Sequence, residues 1–151
     1  MTSCTVVIPC YNEERRLDPA AVDLLVGAAD CDVLLVDDGS TDGTLALLSS
    51  LAASNPRVRV HPMPKNVGKS EAVRHGLIAA LAEGAALVGF TDADFATPPA
   101  EVARLVNIAR TESRRVVIGS RVGLLGHDIA RRNLRHYTGR LFATLSSIAL
   151  G

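Results

Sequence analysis

The sequence predicts an α/β fold: a mostly parallel sheet with helices covering both of its faces. Three observations predict it. Short β-branched runs alternate with segments of helical periodicity along most of the chain. The strand-like runs are almost continuously apolar, as strands covered on both faces must be, rather than alternating apolar and polar. The 151 residues are 48% hydrophobic, with no internal repeat or linker, which suits one domain with a substantial core.

Taken in order, Thr5-Val6-Val7-Ile8 is a β-branched strand ended by Pro9. Ala20 to Ala29 carries Val22, Leu25, Val26 and Ala29 at helical spacing. Val33-Leu34-Leu35-Val36 is a second strand. Asp42 to Ala53 reads as a helix that Asp42 caps, with Leu45, Leu48, Leu51 and Ala52 inward. Val58-Arg59-Val60 is a short third strand. Ser70 to Glu83 is helical, with Ala72, Val73, Leu77, Ala80 and Leu81 inward. Ala86-Leu87-Val88-Gly89-Phe90 reads as a buried fourth strand, and Pro98-Pro99 opens a helix running to about Arg110. Val116-Val117-Ile118 is expected to form a fifth strand. Ile129 to Leu150 is helix-like, with Leu134, Tyr137, Leu141, Leu145 and Ile148 on one face and Arg131, Arg132, Arg135 and Arg140 nearby.

Aromatic residues make up only 3% and Trp is absent, so aliphatic side chains and Ala must form the core. No apolar run is long enough to span a bilayer, and the N-terminus lacks a basic region followed by an apolar one. Cys4, Cys10 and Cys31 show neither metal-ligand nor redox spacing, so reduced, packed thiols are expected. The net charge is zero but unevenly spread. Residues 1–112 hold nine Lys/Arg against fifteen Asp/Glu, and residues 113–151 hold seven Arg against Asp128 alone. The acidic part suits a cation site; the basic part suits phosphate or an anionic membrane. No recognised nucleic-acid-binding module is present.

The chemistry-bearing groups cluster where strands end. Asp92-Ala93-Asp94 follows the fourth strand closely, and strand ends in open α/β sheets face the ligand crevice. Carboxylate oxygens suit Mg²⁺ or Mn²⁺, which can neutralise a departing diphosphate; two solvated loop acids are the plain alternative. After the first strand stands Pro9-Cys10-Tyr11-Asn12-Glu13-Glu14 in place of the Gly-rich turn of a dinucleotide-binding domain. Tyr11 can stack on a base, and Asn12 and Glu13 can hydrogen-bond base or ribose; a polar turn is the alternative. Val36-Asp37-Asp38-Gly39-Ser40 places two acids before a tight turn, where an acid can bind ribose hydroxyls. Lys69, in Asn66-Val67-Gly68-Lys69-Ser70, opens a helix and suits an anion, although the spacing is not that of a Walker loop; a solvated surface lysine is the alternative. Arg121, in Gly119-Ser120-Arg121, can clamp phosphate bidentately. The four histidines form no pairing that suggests a metal site or dyad.

As an ordered set, these motifs resemble those of family 2 glycosyltransferases, which have the GT-A fold. Within that family, Asp94-Phe95-Ala96-Thr97-Pro98-Pro99 and the Arg-rich segment resemble the polyprenyl-phosphate enzymes, the dolichyl-phosphate β-glucosyltransferase branch first and the mannosyl branch second. The resemblance implies a metal-dependent hexose transfer with inversion, from UDP-glucose or GDP-mannose to a lipid phosphate, with Mg²⁺ or Mn²⁺ as cofactor. Pro9, Tyr11, Asn12, Glu13, Asp37, Asp38, Lys69, Asp92 and Ala93 would line the nucleotide-sugar pocket, together with Arg131 and Arg132. Asp94 would ligate the metal and act with Arg121 in catalysis. Mannosyl relatives can carry a metal-binding Gln where Ala96 stands, which weakens that branch.

Residues 1–127 are expected to form the nucleotide-sugar-binding core, and residues 128–151 the start of a basic amphipathic helix. An ordinary amphipathic helix with a solvated basic face is one reading of it; with the resemblance, the other is peripheral attachment to the cytoplasmic face of a membrane. Relatives extend beyond the segment matching Gly151, so a truncated chain is expected. A non-catalytic nucleotide-sugar-binding module is the first rival. A phosphatase with Asp92 as nucleophile is the second, and it leaves Tyr11-Asn12-Glu13 unexplained.

Overall fold

The computed structural model describes residues 3–111 and 116–119. It contains β1 (Cys4–Cys10), α1 (Pro19–Ala29), β2 (Asp32–Asp37), α2 (Thr44–Ser54), β3 (Val58–Pro62), α3 (Lys69–Ala82), β4 (Leu87–Phe90) and α4 (Pro99–Thr111). All strand pairs are parallel, in the order β3-β2-β1-β4. The predicted α/β class, parallel sheet and two-sided helix cover are all present.

Strand alternation divides the core. Val6, Ile8, Cys10, Val33 and Leu35 pack with α1, α2 and α4 on one face through Val22, Leu25, Leu48, Leu51, Val102 and Val106. Val7, Leu34 and Val36 face the other way and meet α3 at Ala72 and Ala80. Gly76 lets α3 approach closely: a β-carbon there would lie 2.5 Å from Val7 Cγ1 and 2.8 Å from Val36 Cγ2.

Several boundaries and faces differ from expectation. β1 continues through Pro9 to Cys10. Val7 faces β4, since its carbonyl accepts the Thr91 N–H at 3.0 Å, so Pro9 two residues later faces the same side. The β4 ladder ends at the Val7–Phe90 pair, so the missing proline N–H leaves no ladder bond unmade. Asp18 caps α1 by accepting the Ala20 N–H at 3.0 Å, with Pro19 as its first residue. α2 begins at Thr44, and its buried face is Thr44, Leu48 and Leu51, while Leu45 is exposed. α3 begins at Lys69; its buried face is Ala72, Val73, Gly76 and Ala80, and Leu81 is exposed. Among the described residues β4 lies at the edge of the sheet, half-buried, with Phe90 exposed, rather than as the buried strand expected.

Val116-Val117-Ile118 forms no strand. Val116 and Ile118 are 74% and 80% exposed and only Val117 is partly buried, so the run gains no ladder bonds and little burial to offset backbone ordering. The described residues up to Ile118 form one compact unit. Arg121, Arg131, Arg132 and the expected basic helix lie outside the described residues.

At the opposite end of the sheet from the motif loops, Arg110 of α4 donates to the carbonyls of Ala29 and Asp30, both at 2.8 Å, closing the C-terminus of α1. Arg57 bridges Asp30 and Asp32.

The three cysteines are free and buried. Burial pushes the Cys10 thiol up to about 12, helped by the Glu13 and Asp37 charges. Burial likewise pushes Cys31 up to about 12, and Cys4 upward. An unfolded thiol ionises near pH 8.5, so above that pH the unfolded chain loses protons that the native chain keeps. Stability is full below about pH 8.5 and falls as pH rises toward 12. By pH 10 the loss should reach about 2 kcal/mol for each of Cys10 and Cys31. Urea unfolding at pH 7 and pH 10 should show this fall, and Cys10→Ala with Cys31→Ala should reduce it.

Candidate active site

The helices change faces between α2 and α3, so the strand order reverses beside β1. That reversal opens a crevice at the C-terminal ends of β1 and β4, the position where open α/β sheets take ligands. Pro9 and Cys10 lead out of β1 into it, and Thr91-Asp92-Ala93-Asp94 leads out of β4.

The turn after β1 is fixed by the loop after β2. Asn12 sits at φ +54°, a left-handed conformation that Asn tolerates better than most residues. Its N–H donates to Ser40 Oγ at 3.0 Å, and its Oδ1 accepts the Thr41 N–H at 2.9 Å. Thr44 Oγ1 accepts the Glu13 N–H at 2.8 Å, and Glu14 Oε2 accepts the Gly43 N–H at 3.1 Å. The Glu13 carboxylate pairs with Arg16 at 3.2 Å. Tyr11 carries no such tie and is 45% exposed, an aromatic face presented to solvent beside the crevice.

Asp37 ends β2 and Asp38 follows it; each is 2% exposed. Asp37 Oδ1 accepts the Ser40 N–H at 3.4 Å. Asp38 uses both oxygens, accepting the N–H groups of Val67 at 2.8 Å and Gly68 at 3.0 Å. Its carboxylate therefore holds the loop that leads into α3. Asp42 accepts from both the N–H and the hydroxyl of Thr44, and the hydroxyl bond holds its carboxyl below the usual range. The N-cap position is Gly43, which has no side-chain cap, so the helix starts two residues after the expected capping residue; Asp42 instead accepts the N–H of the first helical residue from just outside the helix.

Lys69 is the first residue of α3, and its Nζ lies 2.6 Å from Asp92 Oδ1. Ala93 is buried and Phe95 packs partly against the core, while Asp94 is exposed. Asp94 Oδ1 accepts the Ala96 N–H at 3.0 Å, leaving Oδ2 open. Phe95 adopts φ +46°, an uncommon conformation for an aromatic residue and one associated with functional loops.

Among the described residues, no group of three or more His, Cys, Asp or Glu side chains gathers as a metal cage. One open carboxylate oxygen on Asp94 still fits Mg²⁺ or Mn²⁺, which commonly bind one or two protein carboxylates and complete their shell with substrate phosphates and water. The same loops bring together Tyr11, Asp37, Lys69, Asp92 and Asp94 at one end of the sheet. Sequence reasoning missed Glu14, Ser40, Thr41 and Thr44 as the groups that fix these loops. Their signal was the density of hydroxyls and acids around Gly39 and Gly43, chemistry that favours local side-chain-to-backbone bonds.

Residues 5–147 match the family model described as Glycosyl transferase family 2. The chain is 33% identical over 159 residues to a dolichyl-phosphate beta-glucosyltransferase of Trichomonas vaginalis, with 96% of this chain and 46% of the relative covered. It is 38% identical over 111 residues to an undecaprenyl-phosphate 4-deoxy-4-formamido-L-arabinose transferase of Aeromonas hydrophila, covering 70% of this chain and 33% of that one. It thus spans less than half the length of these curated relatives. Its fold is shared with the crystal structure of S. aureus TarS 1-349 in complex with UDP, with a TM-score of 0.59, 19% identity, and coverage of 85% of this chain and 38% of that chain. Among the described residues, no helix is long and apolar enough to cross a membrane.

Proposed function

The chain belongs to glycosyl transferase family 2, and from that premise we propose that it carries the donor-binding part of an inverting, GT-A-fold hexosyltransferase that acts on a polyprenyl phosphate. The observation that carries this reading is the convergence of the Tyr11 turn, Asp37, the Lys69–Asp92 pair and Asp94 at one end of the sheet. UDP-glucose is the favoured donor, since the relative matched over most of this chain is a glucosyltransferase. GDP-mannose is the alternative.

Each group has a role set by its surroundings. Tyr11 offers a free ring for the base, and Asp37 a carboxylate for ribose or base. Asn12 and Glu13 shape the pocket through the backbone they fix. Lys69 meets the diphosphate at the start of α3, where free N–H groups also favour anions. Asp94 is the residue that would hold Mg²⁺ or Mn²⁺, which supplies positive charge to the leaving diphosphate when bound. Arg121, with Arg131 or Arg132, is assigned to phosphate by resemblance.

The acceptor phosphate oxygen attacks the anomeric carbon as the bond from that carbon to the diphosphate oxygen breaks. The electron pair leaves with the nucleoside diphosphate, and the configuration inverts. A phosphate acceptor is already ionised near neutral pH, so the step needs no strong protein base. Cationic side chains then act where charge develops on the leaving group. The basic segment beyond residue 128 would bring this chemistry to the cytoplasmic face of a membrane.

Calorimetric titration with UDP-glucose and GDP-mannose, with and without Mn²⁺, tests the reading. We expect one donor to bind about tenfold or more tightly with Mn²⁺, and Asp94→Ala to abolish that gain. A folded chain that binds neither donor would reject the assignment.

A further inference from the structure

Among the links that join the loops at the C-terminal rim of the sheet in the described residues, four bear on the site. The first ties the β1 turn to the β2 loop through Asn12, Glu14 and Thr44. The second ties the β2 loop to the α3 entry through Asp38, whose side chain is almost fully buried. A third is the ladder-edge bond from the Thr91 N–H to the Val7 carbonyl, which fixes the exit of β4 to β1. The fourth is the Lys69–Asp92 pair at 2.6 Å, which joins the start of α3 to the loop after β4. It differs from the others in kind: the side chains are 58% and 48% exposed, and no backbone group takes part. Exposed ion pairs hold weakly and exchange readily with competing charges. A lysine ammonium on its flexible stem serves a carboxylate and a phosphate equally well, as a point charge.

We propose that this ion pair is a displaceable latch. Lys69 holds Asp92 until a nucleoside diphosphate draws the ammonium away, and Asp92 is then free to join Asp94 in attracting the divalent cation. The proposal rests on the donor-binding reading and adds an order to it: diphosphate first relieves Asp92, and the second carboxylate becomes available only then. Asp94 needs no such release, because its Oδ1 is already set by the Ala96 N–H. Lys69 in this account is a positioning residue for Asp92 as well as a diphosphate contact.

The latch makes predictions of opposite sign for two ligands added separately. Lys69→Met should bind Mn²⁺ alone about threefold more tightly, because Asp92 is no longer neutralised, and should bind metal-free UDP about fivefold more weakly. Asp92→Asn should bind metal-free UDP about threefold more tightly, because Lys69 is released. Lys69→Arg should restore both affinities toward the parent values. Calorimetry, or the Mn²⁺ electron paramagnetic resonance signal, reads each affinity without any turnover. Matching thermal melts verify that the variants are folded, as expected for changes at exposed side chains.

A Lys69→Met chain with no gain in Mn²⁺ affinity overturns the latch, as does an Asp92→Asn chain with no gain for UDP. Failure of the parent chain to bind UDP even with Mn²⁺ counts instead against the donor-binding reading. The Mn²⁺ comparison stands on the two side chains alone, so the two failures are distinguishable.

Discussion

Gly39→Ala is expected to lower the melting temperature by about 10 °C. Two separate costs combine at this position. Gly39 sits at φ +65°, in the left-handed region that a β-carbon disfavours by about 1 kcal/mol. A β-carbon would also lie 2.5 Å from Asn66 N and 2.7 Å from Lys65 Cα, closer than packed atoms allow. These neighbours are backbone, so relief requires the loop before α3 to move, and overpacking of this kind costs about 1–3 kcal/mol. The sum, about 3 kcal/mol, corresponds to roughly 10 °C for a domain of this size. Gly84→Ala is the matched control. It has φ +91°, but a β-carbon there would meet nothing within 4 Å, so it should show the conformational cost alone, about a third of the effect. Equal shifts for the two variants, read by circular dichroism, would reject the close-approach argument. The displaced loop carries Lys69, so Gly39→Ala should also weaken nucleotide binding.

The fold was legible because its strongest signals are local. Continuous apolar runs such as Val33 to Val36 are buried wherever they pair, and helical spacing in Ala20 to Ala29 survives any packing arrangement. What local pattern could not settle was the phase of a helix whose apolar residues outnumber its buried positions. Leu45 and Leu81 have the composition of core residues, yet Thr44 and Gly76 take the inward places. Thr44 is drawn inward by hydrogen bonds with Glu13 and Asp42, and Gly76 by the close approach of α3 to Val7 and Val36. Both reasons are tertiary. The failure at Val116 to Ile118 has the complementary cause: β propensity describes how a residue fits a ladder, and it cannot supply the ladder.

The site was legible as a set of strand ends more than as a set of roles. Acids at strand termini follow from the α/β architecture, so the sequence pointed to Asp37, Asp92 and Asp94 together. It could not separate side chains that face a ligand from side chains that hold loops. Asn12 and Asp38 carry the same polar groups as any ligand-binding residue. Their partners, Thr41 in one case and Val67 with Gly68 in the other, are about thirty positions away in sequence and become visible only in the fold.

Asp38→Ala is the test of that distinction, and its effect should be comparably large. The carboxylate is 2% exposed and both of its oxygens accept backbone N–H groups, at 2.8 Å from Val67 and 3.0 Å from Gly68. Removing it leaves two donors without their acceptors at the entrance to α3. Hydrogen bonds to a charged group and the penalty for orphaned donors together suggest a loss of about 3 kcal/mol. Gly68 is held at φ +93° with no side-chain cap of its own, so the entry geometry of α3 depends on this acceptor from another loop. Asp38→Asn should recover only part of the loss: its amide oxygen can accept one N–H, but its NH₂ group meets the other donor with a donor. Hydrogen exchange should report the damage locally, with the Val67 and Gly68 amides losing protection before the strands do. A ligand-contact role would predict something different, with protection and melting temperature preserved while nucleotide affinity falls. If Asp38→Ala behaves in that second way, the carboxylate belongs to the donor; if the amides open and the domain melts early, Asp38 acts on the donor only through the position it gives Lys69.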